Sequence, residues 1–308
     1  MVLLFALLLL ALAFVLIALV SGNNLSVCTG ALVASRITSR KSGILLAILG
    51  FVLGLLLEGP MLKKGVEAVM PVASPLLLVE IFSIAIAVFL LADRFRVPLS
   101  LTIVFTSMLV GVGLGLSTQV NWYFLALIVA FWVLVPFVSL FIMHPLLDYL
   151  TRRTERGHIW KEVRIIKASL VIVSFFTSFT LGANTIGLIY ASLPYGAEAL
   201  KLLLAITAII IGSVFFSQGE IRRVGDEIVP VRYLNAIMSQ LVSALEVEIA
   251  TLFGVPLSNT QTFTASLYGA GYSYKARLMR KKPAYVIVTI WLASAIFSFL
   301  VAFAMARL

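Results

Sequence analysis

Val97-Pro98-Leu99-Ser100-Leu101-Thr102 and Val255-Pro256-Leu257-Ser258-Asn259-Thr260-Gln261 are two versions of one stretch, set 158 residues apart (97 to 255) in a chain of 308. Other features follow at nearly the same offset. Gly22 and Asn24 fall on Gly182 and Asn184, Phe105-Thr106 on Phe263-Thr264, Gly111-Val112-Gly113 on Gly269-Ala270-Gly271, and Trp132 on Trp291. Any one match means little in a leucine-rich chain, but their common order and spacing indicate an internal duplication.

The chain around these matches is 62% hydrophobic and 12% charged, with a mean hydropathy of +1.12. A soluble domain needs more polar surface than that. Apolar runs long enough to cross about 30 Å of hydrocarbon recur from end to end, and backbone groups in lipid must be satisfied within the segment, so the runs are helices. Spans are predicted at 3–35, 43–58, 75–92, 99–116, 122–142, 165–193, 199–217, 231–251, 257–271 and 284–306. The apolar stretch Met1 to Val20 lacks a basic leader and is too long for a signal-peptide core, so it reads as a retained first span.

Ten crossings put both termini on one side. Of the 23 Lys and Arg residues, all but Lys63, Lys64, Lys201 and Arg307 fall in loops or at span ends facing the other side. The positive-inside rule makes that side cytoplasmic, so both termini are expected to be extracellular and the 143–164 loop cytoplasmic in a multi-pass protein of the cell membrane. The net charge of +10 is thereby assigned to the membrane face and not to nucleic acid. Cys28 is the lone cysteine, and with His144 and His158 alone no zinc site is expected.

Five spans per copy force the second copy to enter the membrane from the opposite face. The expected architecture is an all-α membrane protein of two inverted-topology repeats, residues 1–142 and 165–308, joined by the 143–164 loop. Spans 3–35 and 165–193 are overlong, about 50 and 43 Å at 1.5 Å per residue. Each carries a Gly-Asn interruption, Ser21-Gly22-Asn23-Asn24 or Leu181-Gly182-Ala183-Asn184. Broken helices at the midplane are therefore expected, as in secondary transporters built from inverted repeats.

Those interruptions carry the candidate chemistry. Asparagine offers an amide and a carbonyl oxygen without a buried charge, and helix ends expose free N–H groups that suit an oxyanion. A proline at a helix start leaves early amides free, and the following hydroxyls add donors. The candidate substrate contacts are Ser100, Thr102, Ser258, Asn259, Thr260, Gln261, Asn24 and Asn184. Glu246 and Glu248 lie inside a span, where an ionisable group is costly and often functional; one of them is a candidate proton carrier. Two residues apart, they point to different faces. Gly111, Gly113, Gly115, Gly269 and Gly271 are expected to serve close helix packing.

With these motifs the chain resembles the inorganic phosphate transporter (PiT) family, whose members carry a Gly-Ala-Asn-Asp motif and a Gly-x-Pro-x-Ser-Thr-Thr-His motif in each inverted half. Gly182-Ala183-Asn184-Thr185 is similar to the first, and Gly254-Val255-Pro256-Leu257-Ser258-Asn259-Thr260-Gln261 to the second. Gly22-Asn23-Asn24-Leu25 and Val97-Pro98-Leu99-Ser100-Leu101-Thr102 are weaker versions. The resemblance implies oxyanion contacts at Ser100, Thr102, Ser258 and Thr260, and a substrate or coupling-ion position near Asn24 and Asn184, with Thr185 and Ser26 beside them. Leu25 and Thr185 stand where the family has aspartate, and Ile103 and Gln261 where it has histidine. Losing two carboxylates removes charge that would repel an anion and attract a cation.

The function expected is secondary active transport of inorganic phosphate by cation-coupled symport, with a sodium ion or proton as coupling ion. Neither a covalent cofactor nor a metal is expected. The alternatives are a sulfate permease of the same family and a non-transporting membrane anion sensor or scaffold. The expected partners are phosphate or sulfate and the lipid bilayer, with a homodimer as the assembly. No nucleophile–base pair or metal cluster occurs at a plausible position, so an enzyme is not expected.

Overall fold

A computed structural model describes residues 2–71, 74–94, 99–154, 159–194, 196–216, 233–273 and 281–308 of the protein. Their order is α1 (Val2–Ala34), α2 (Arg40–Leu57), a 3-10 turn (Gly59–Met61), α3 (Leu62–Val69), α4 (Pro75–Arg94), α5 (Leu101–Gly115) and α6 (Trp122–Thr154). There follow α7 (Ile159–Leu181), a π-helical turn (Gly182–Ile186), α8 (Gly187–Ala191), α9 (Glu198–Phe215), α10 (Tyr233–Leu252), α11 (Asn259–Ser273) and α12 (Lys281–Met305). Every predicted span holds a helix, and among the described residues there is no strand.

Seven stretches are long and apolar enough to cross a membrane: α1, α2, α4, α6, α7 with α8, α9 and α12. α5 is a shorter apolar helix. α10 is long enough but too polar, carrying Asn235, Ser239, Gln240 and Ser243, and α11 has 15 residues and is rich in hydroxyls. At 1.5 Å per residue, a 15-residue helix spans about 22 Å, short of the hydrocarbon thickness. α5 and α11 are therefore each too short to cross it alone.

The duplication governs the packing. Adding 158 to the bounds of α2, α4 and α5 gives the bounds of α9, α10 and α11 at both ends (40 to 198, 75 to 233, 101 to 259). Partners recur in the same way: α1 packs on α4 and α9 as α7 packs on α10 and α2, and α5 lies on α12 as α11 lies on α6. α6 and α12 form the periphery and leave Leu134, Phe137 and Phe141, and Leu292, Ile296 and Leu300, exposed. Such apolar outer faces suit lipid contact. The main core gathers Leu16, Phe51, Phe82, Phe105 and Leu109 from α1, α2, α4 and α5.

Glycines set the closest helix crossings. A Cβ on Gly212 would lie 2.0 Å from the Ala18 carbonyl oxygen and one on Gly22 2.6 Å from Phe216 Cβ, so α1 and α9 touch backbone to backbone. The α2–α7 crossing is its counterpart, with a Cβ on Gly54 1.9 Å from Phe179 O and one on Gly182 2.2 Å from Phe51 O. Gly111, Gly113, Gly115 and Gly269 also serve close packing; a Cβ on Gly113 would meet Val69 O at 2.1 Å.

Two expectations are corrected here. α1 continues unbroken through Gly22-Asn23-Asn24: Gly22 is required by the approach of α9, and the neighbouring hydroxyls of Ser21, Ser26 and Thr29 bond back to carbonyls of their own helix. The 143–164 stretch is helical wherever it is described, α6 running to Thr154 and α7 starting at Ile159. Met143 and Leu147 are buried in an apolar cluster with Leu32, Ile237 and Ala270, and that burial favours continuing α6 past the expected end. Pro136 and Pro145 sit inside α6, as neighbouring helices allow in a membrane.

Gly54→Leu should prevent stable assembly, because overpacking costs about 1–3 kcal/mol even where side chains can yield and here the obstacle is backbone. A Cβ on Gly30 meets nothing within 4 Å, so Gly30→Ala should leave the melting temperature equal or slightly raised. Thermal unfolding in detergent, followed by fluorescence, checks both.

Candidate functional site

The two matched helix starts meet. Ser100 has an extended backbone (φ −97°, ψ 110°) and caps α5, its Oγ accepting from Ile103 N at 3.4 Å. Ser258 does the same for α11, accepting from Gln261 N at 3.3 Å. The hydroxyls then join across the repeat, Ser100 Oγ donating to Ser258 Oγ at 2.7 Å. The first amides of each helix have no carbonyl one turn back to bond, so Leu101 and Thr102 on one side and Asn259 and Thr260 on the other bring donors to one place. Pro98 lies outside the described residues; Pro256 O accepts from Trp132 Nε1 at 2.9 Å, which holds the second start against α6.

Around this junction is a cavity of about 20 Å³ lined by Val20, Asn23, Asn24, Phe89, Leu99, Ser100, Leu101, Thr102, Leu181, Thr185, Ser258, Asn259 and Thr260. All four segments singled out in the sequence reach it. None of the lining side chains is charged. Its electrostatics therefore come from two helix N-termini, each equivalent to roughly half a positive charge, together with amide and hydroxyl dipoles. The volume holds one or two waters at about 10–15 Å³ each, so a tetrahedral oxyanion requires the walls to part.

The remaining candidates divide. Thr185 lines the cavity from the π-helical turn, whereas Asn184 does not line it and bonds within the protein. Its Nδ2 donates to Thr251 Oγ1 at 2.9 Å and to Val255 O at 3.0 Å, and its Oδ1 accepts from Leu257 N at 3.0 Å. Asn184 thus ties the π-helical turn to the non-helical segment before α11. The sequence marks it as a candidate substrate contact; the hydrogen bonds it makes in this structure are those of a tether. Ser26 donates to Asn23 O at 3.2 Å and does not line the cavity. Gln261 is buried beside it with Oε1 lacking a partner among the described residues.

Glu246 and Glu248 point to different faces, as their spacing requires. Glu246 accepts from Ser139 on α6, Glu248 lies against Glu58 at the end of α2, and neither lines the cavity. Sequence reasoning missed Phe89 and Thr251, and it placed Asn23, Leu181 and Trp132 in motifs or in the repeat without giving them a site role. Trp132 could have been found, since Trp291 repeats it; Thr251 and Phe89 are ordinary span residues whose place only packing reveals.

Residues 149–302 match the family model described as the phosphate transporter family, half of the chain. The chain belongs to the phosphate transporter family. The matched half contains the fuller versions of both motifs. A Methanocaldococcus jannaschii protein that carries the name of a phosphate permease is 25% identical over 305 residues, 97% of this chain and 96% of its own length. A solved structure titled "The sodium-dependent phosphate transporter" superposes with a TM-score of 0.81 at 18% identity, covering 98% of both chains. The fold is that of this phosphate transporter structure, and the family is one of transporters and not of enzymes.

Asn184→Ala removes three hydrogen bonds and leaves a buried amide unpaired, at about 1–3 kcal/mol for each unpaired group. The variant should unfold at a lower temperature than the parent, and Thr251→Val, which removes one partner, should lie between them. Calorimetry in detergent reads both. An unchanged melting temperature for Asn184→Ala would refute the tether.

Proposed function

We propose that the protein carries inorganic phosphate across the cell membrane by cation-coupled symport, the anion resting between the helix starts at Ser100 and Ser258. The observation that carries this reading is the convergence of two helix N-termini on one uncharged, polar cavity. Ser100, Thr102, Ser258, Asn259 and Thr260 supply donors, and Asn24 supplies an amide from α1. Membership of the phosphate transporter family supports the same substrate.

Charge and protonation favour phosphate over sulfate. Two helix N-termini together offer roughly one positive charge, which balances a singly charged anion better than a doubly charged one. Monobasic phosphate also carries hydroxyl hydrogens that need acceptors, and side-chain amide and hydroxyl oxygens can accept them; sulfate has none to donate. Each 100 mV of inside-negative potential opposes entry of a monoanion by about 2.3 kcal/mol, so inward transport requires accompanying positive charge. A sodium ion or a proton fills that role, and the structural neighbour is a sodium-dependent phosphate transporter.

The two halves, residues 1–142 and 165–308, act as inverted repeats that rock about the cavity and expose it alternately. Both termini lie outside, and the junction between α6 and α7 lies in the cytoplasm. The segregation of Lys and Arg along the sequence supports that orientation.

Proteoliposomes should take up labelled phosphate when an inward sodium or proton gradient is imposed, with sulfate competing weakly. Ser100→Ala/Ser258→Ala should lower uptake by at least about tenfold, the size of two lost hydrogen bonds to a bound anion. Uptake of neither anion under any gradient would refute the transport reading. Saturable phosphate binding without flux would favour a sensor instead.

A further inference from the structure

The contact between α10 and α11 is fixed by hydrogen bonds. Ser243 Oγ donates to Asn259 Oδ1 at 2.7 Å and lies 2.5 Å from Thr262 Oγ1. The helices are consecutive, joined by a short segment and packed along their length, so they run antiparallel. With Ser243 opposite Thr262, a step of one turn away from the cavity along each helix sets Ser239 opposite Ser266. A further turn brings Asn235 opposite Ala270.

These groups are buried without compensation. Ser239 and Ser266 are fully buried, Asn235 is 2% exposed, and Ser239 Oγ, Ser266 Oγ and Asn235 Oδ1 have no partner among the described residues. Elsewhere in the protein some buried hydroxyls bond back to the preceding turn of their own helix, as at Thr29, Thr177, Ser178 and Thr251, while Thr106, Ser174, Ser213 and Ser298 are also unpartnered among the described residues but are not set in facing pairs along one helix–helix seam. Leaving a buried hydroxyl unpaired is costly, and such groups ask for a water or a ligand.

The fold does not call for this polarity. At the repeat offset of 158 seen in the Ser100–Ser258 pair, Ser243, Thr262, Ser239 and Ser266 correspond to Ala85, Val104, Ile81 and Met108. All four are apolar members of the main core, where α4 meets α5. The same seam is therefore greasy in one half and lined with hydroxyls in the other, and the polar version begins at the cavity residue Asn259.

We propose that the α10–α11 seam is a hydrated track along which the anion passes between the cavity and the membrane face where α10 begins and α11 ends. In this structure the far end is shut by the apolar cluster of Leu32, Met143, Leu147, Leu170 and Ile237, which also contains Ala270. Hydroxyls suit such a track because they donate to a passing oxyanion without the tight hold of a fixed positive charge. The direction of passage rests on the phosphate-transport reading; access of water to the seam does not.

Cys28, the lone cysteine, is buried, so Cys28→Ala provides a background for Ser239→Cys and Ser266→Cys in proteoliposomes. A membrane-impermeant anionic methanethiosulfonate, added with inorganic phosphate, should modify both positions from the face where α10 begins. Bridging the double variant with a short bifunctional thiol reagent should stop phosphate uptake, and dithiothreitol should restore it. Ser239→Val/Ser266→Val, which copies the apolar seam, should fold and bind phosphate as the parent does but lower uptake about tenfold, as expected for two lost hydrogen bonds. No modification from either face, or full uptake by the Val/Val variant, would overturn the track. Modification is read independently of uptake, so a parent that moves no phosphate would count against the transport reading alone.

Discussion

A backbone N–H inside a bilayer has no water to bond, and a helix that starts there leaves its first amides without partners. The protein accepts this constraint twice and places the two sets of free amides against each other. The serine that caps each helix accepts from an amide three residues on, and the two serines then bond each other. This junction joins the halves at the point where the cavity forms, and the cavity owes its positive character to it. No basic side chain is needed, which spares the desolvation cost of a buried cation.

The supporting structure follows from holding two such starts in register. Asn184 fixes the segment before α11 from the π-helical turn, Trp132 fixes it from α6, and glycine crossings at Gly22–Gly212 and Gly54–Gly182 let α1, α2, α7 and α9 pack closely enough to frame it. The repeats are not equal in this work. The second half carries the π-helical turn, the hydroxyl-lined seam and the residues matched by the phosphate transporter family model. The first half keeps the same helix bounds but fills the equivalent seam with Ala85, Val104, Ile81 and Met108. Duplication thus preserved the framework, while polar chemistry is concentrated on one side of it.

Helix existence, the repeat and the four short segments were legible in the sequence, because each depends on patterns that survive without coordinates: apolar length, a nearly constant offset, and proline, serine, glycine and asparagine at matched places. Two local readings were not. Gly22-Asn23-Asn24 reads as a break, yet α9 packs on Gly22 and α1 stays helical, since close packing rewards a glycine as well as unwinding does. Asn184 reads as a ligand group, yet all its recorded bonds are internal. An asparagine at a helix irregularity serves either purpose, and which one depends on residues 67 to 73 positions away.

By itself the sequence determined that this chain is a helical membrane protein built by duplication, because hydrophobic length and the 158-residue offset are one-dimensional quantities. It also singled out the four segments that meet at one cavity, because backbone irregularity in lipid is expensive and so is marked by particular residue types. Only the tertiary structure decided how those segments divide the labour, with Asn24 and Thr185 on the cavity wall, Asn184 behind it, and Glu246 and Glu248 away from it. A side chain's partners are set by the rotation and approach of whole helices, and single-chain spacing does not encode those.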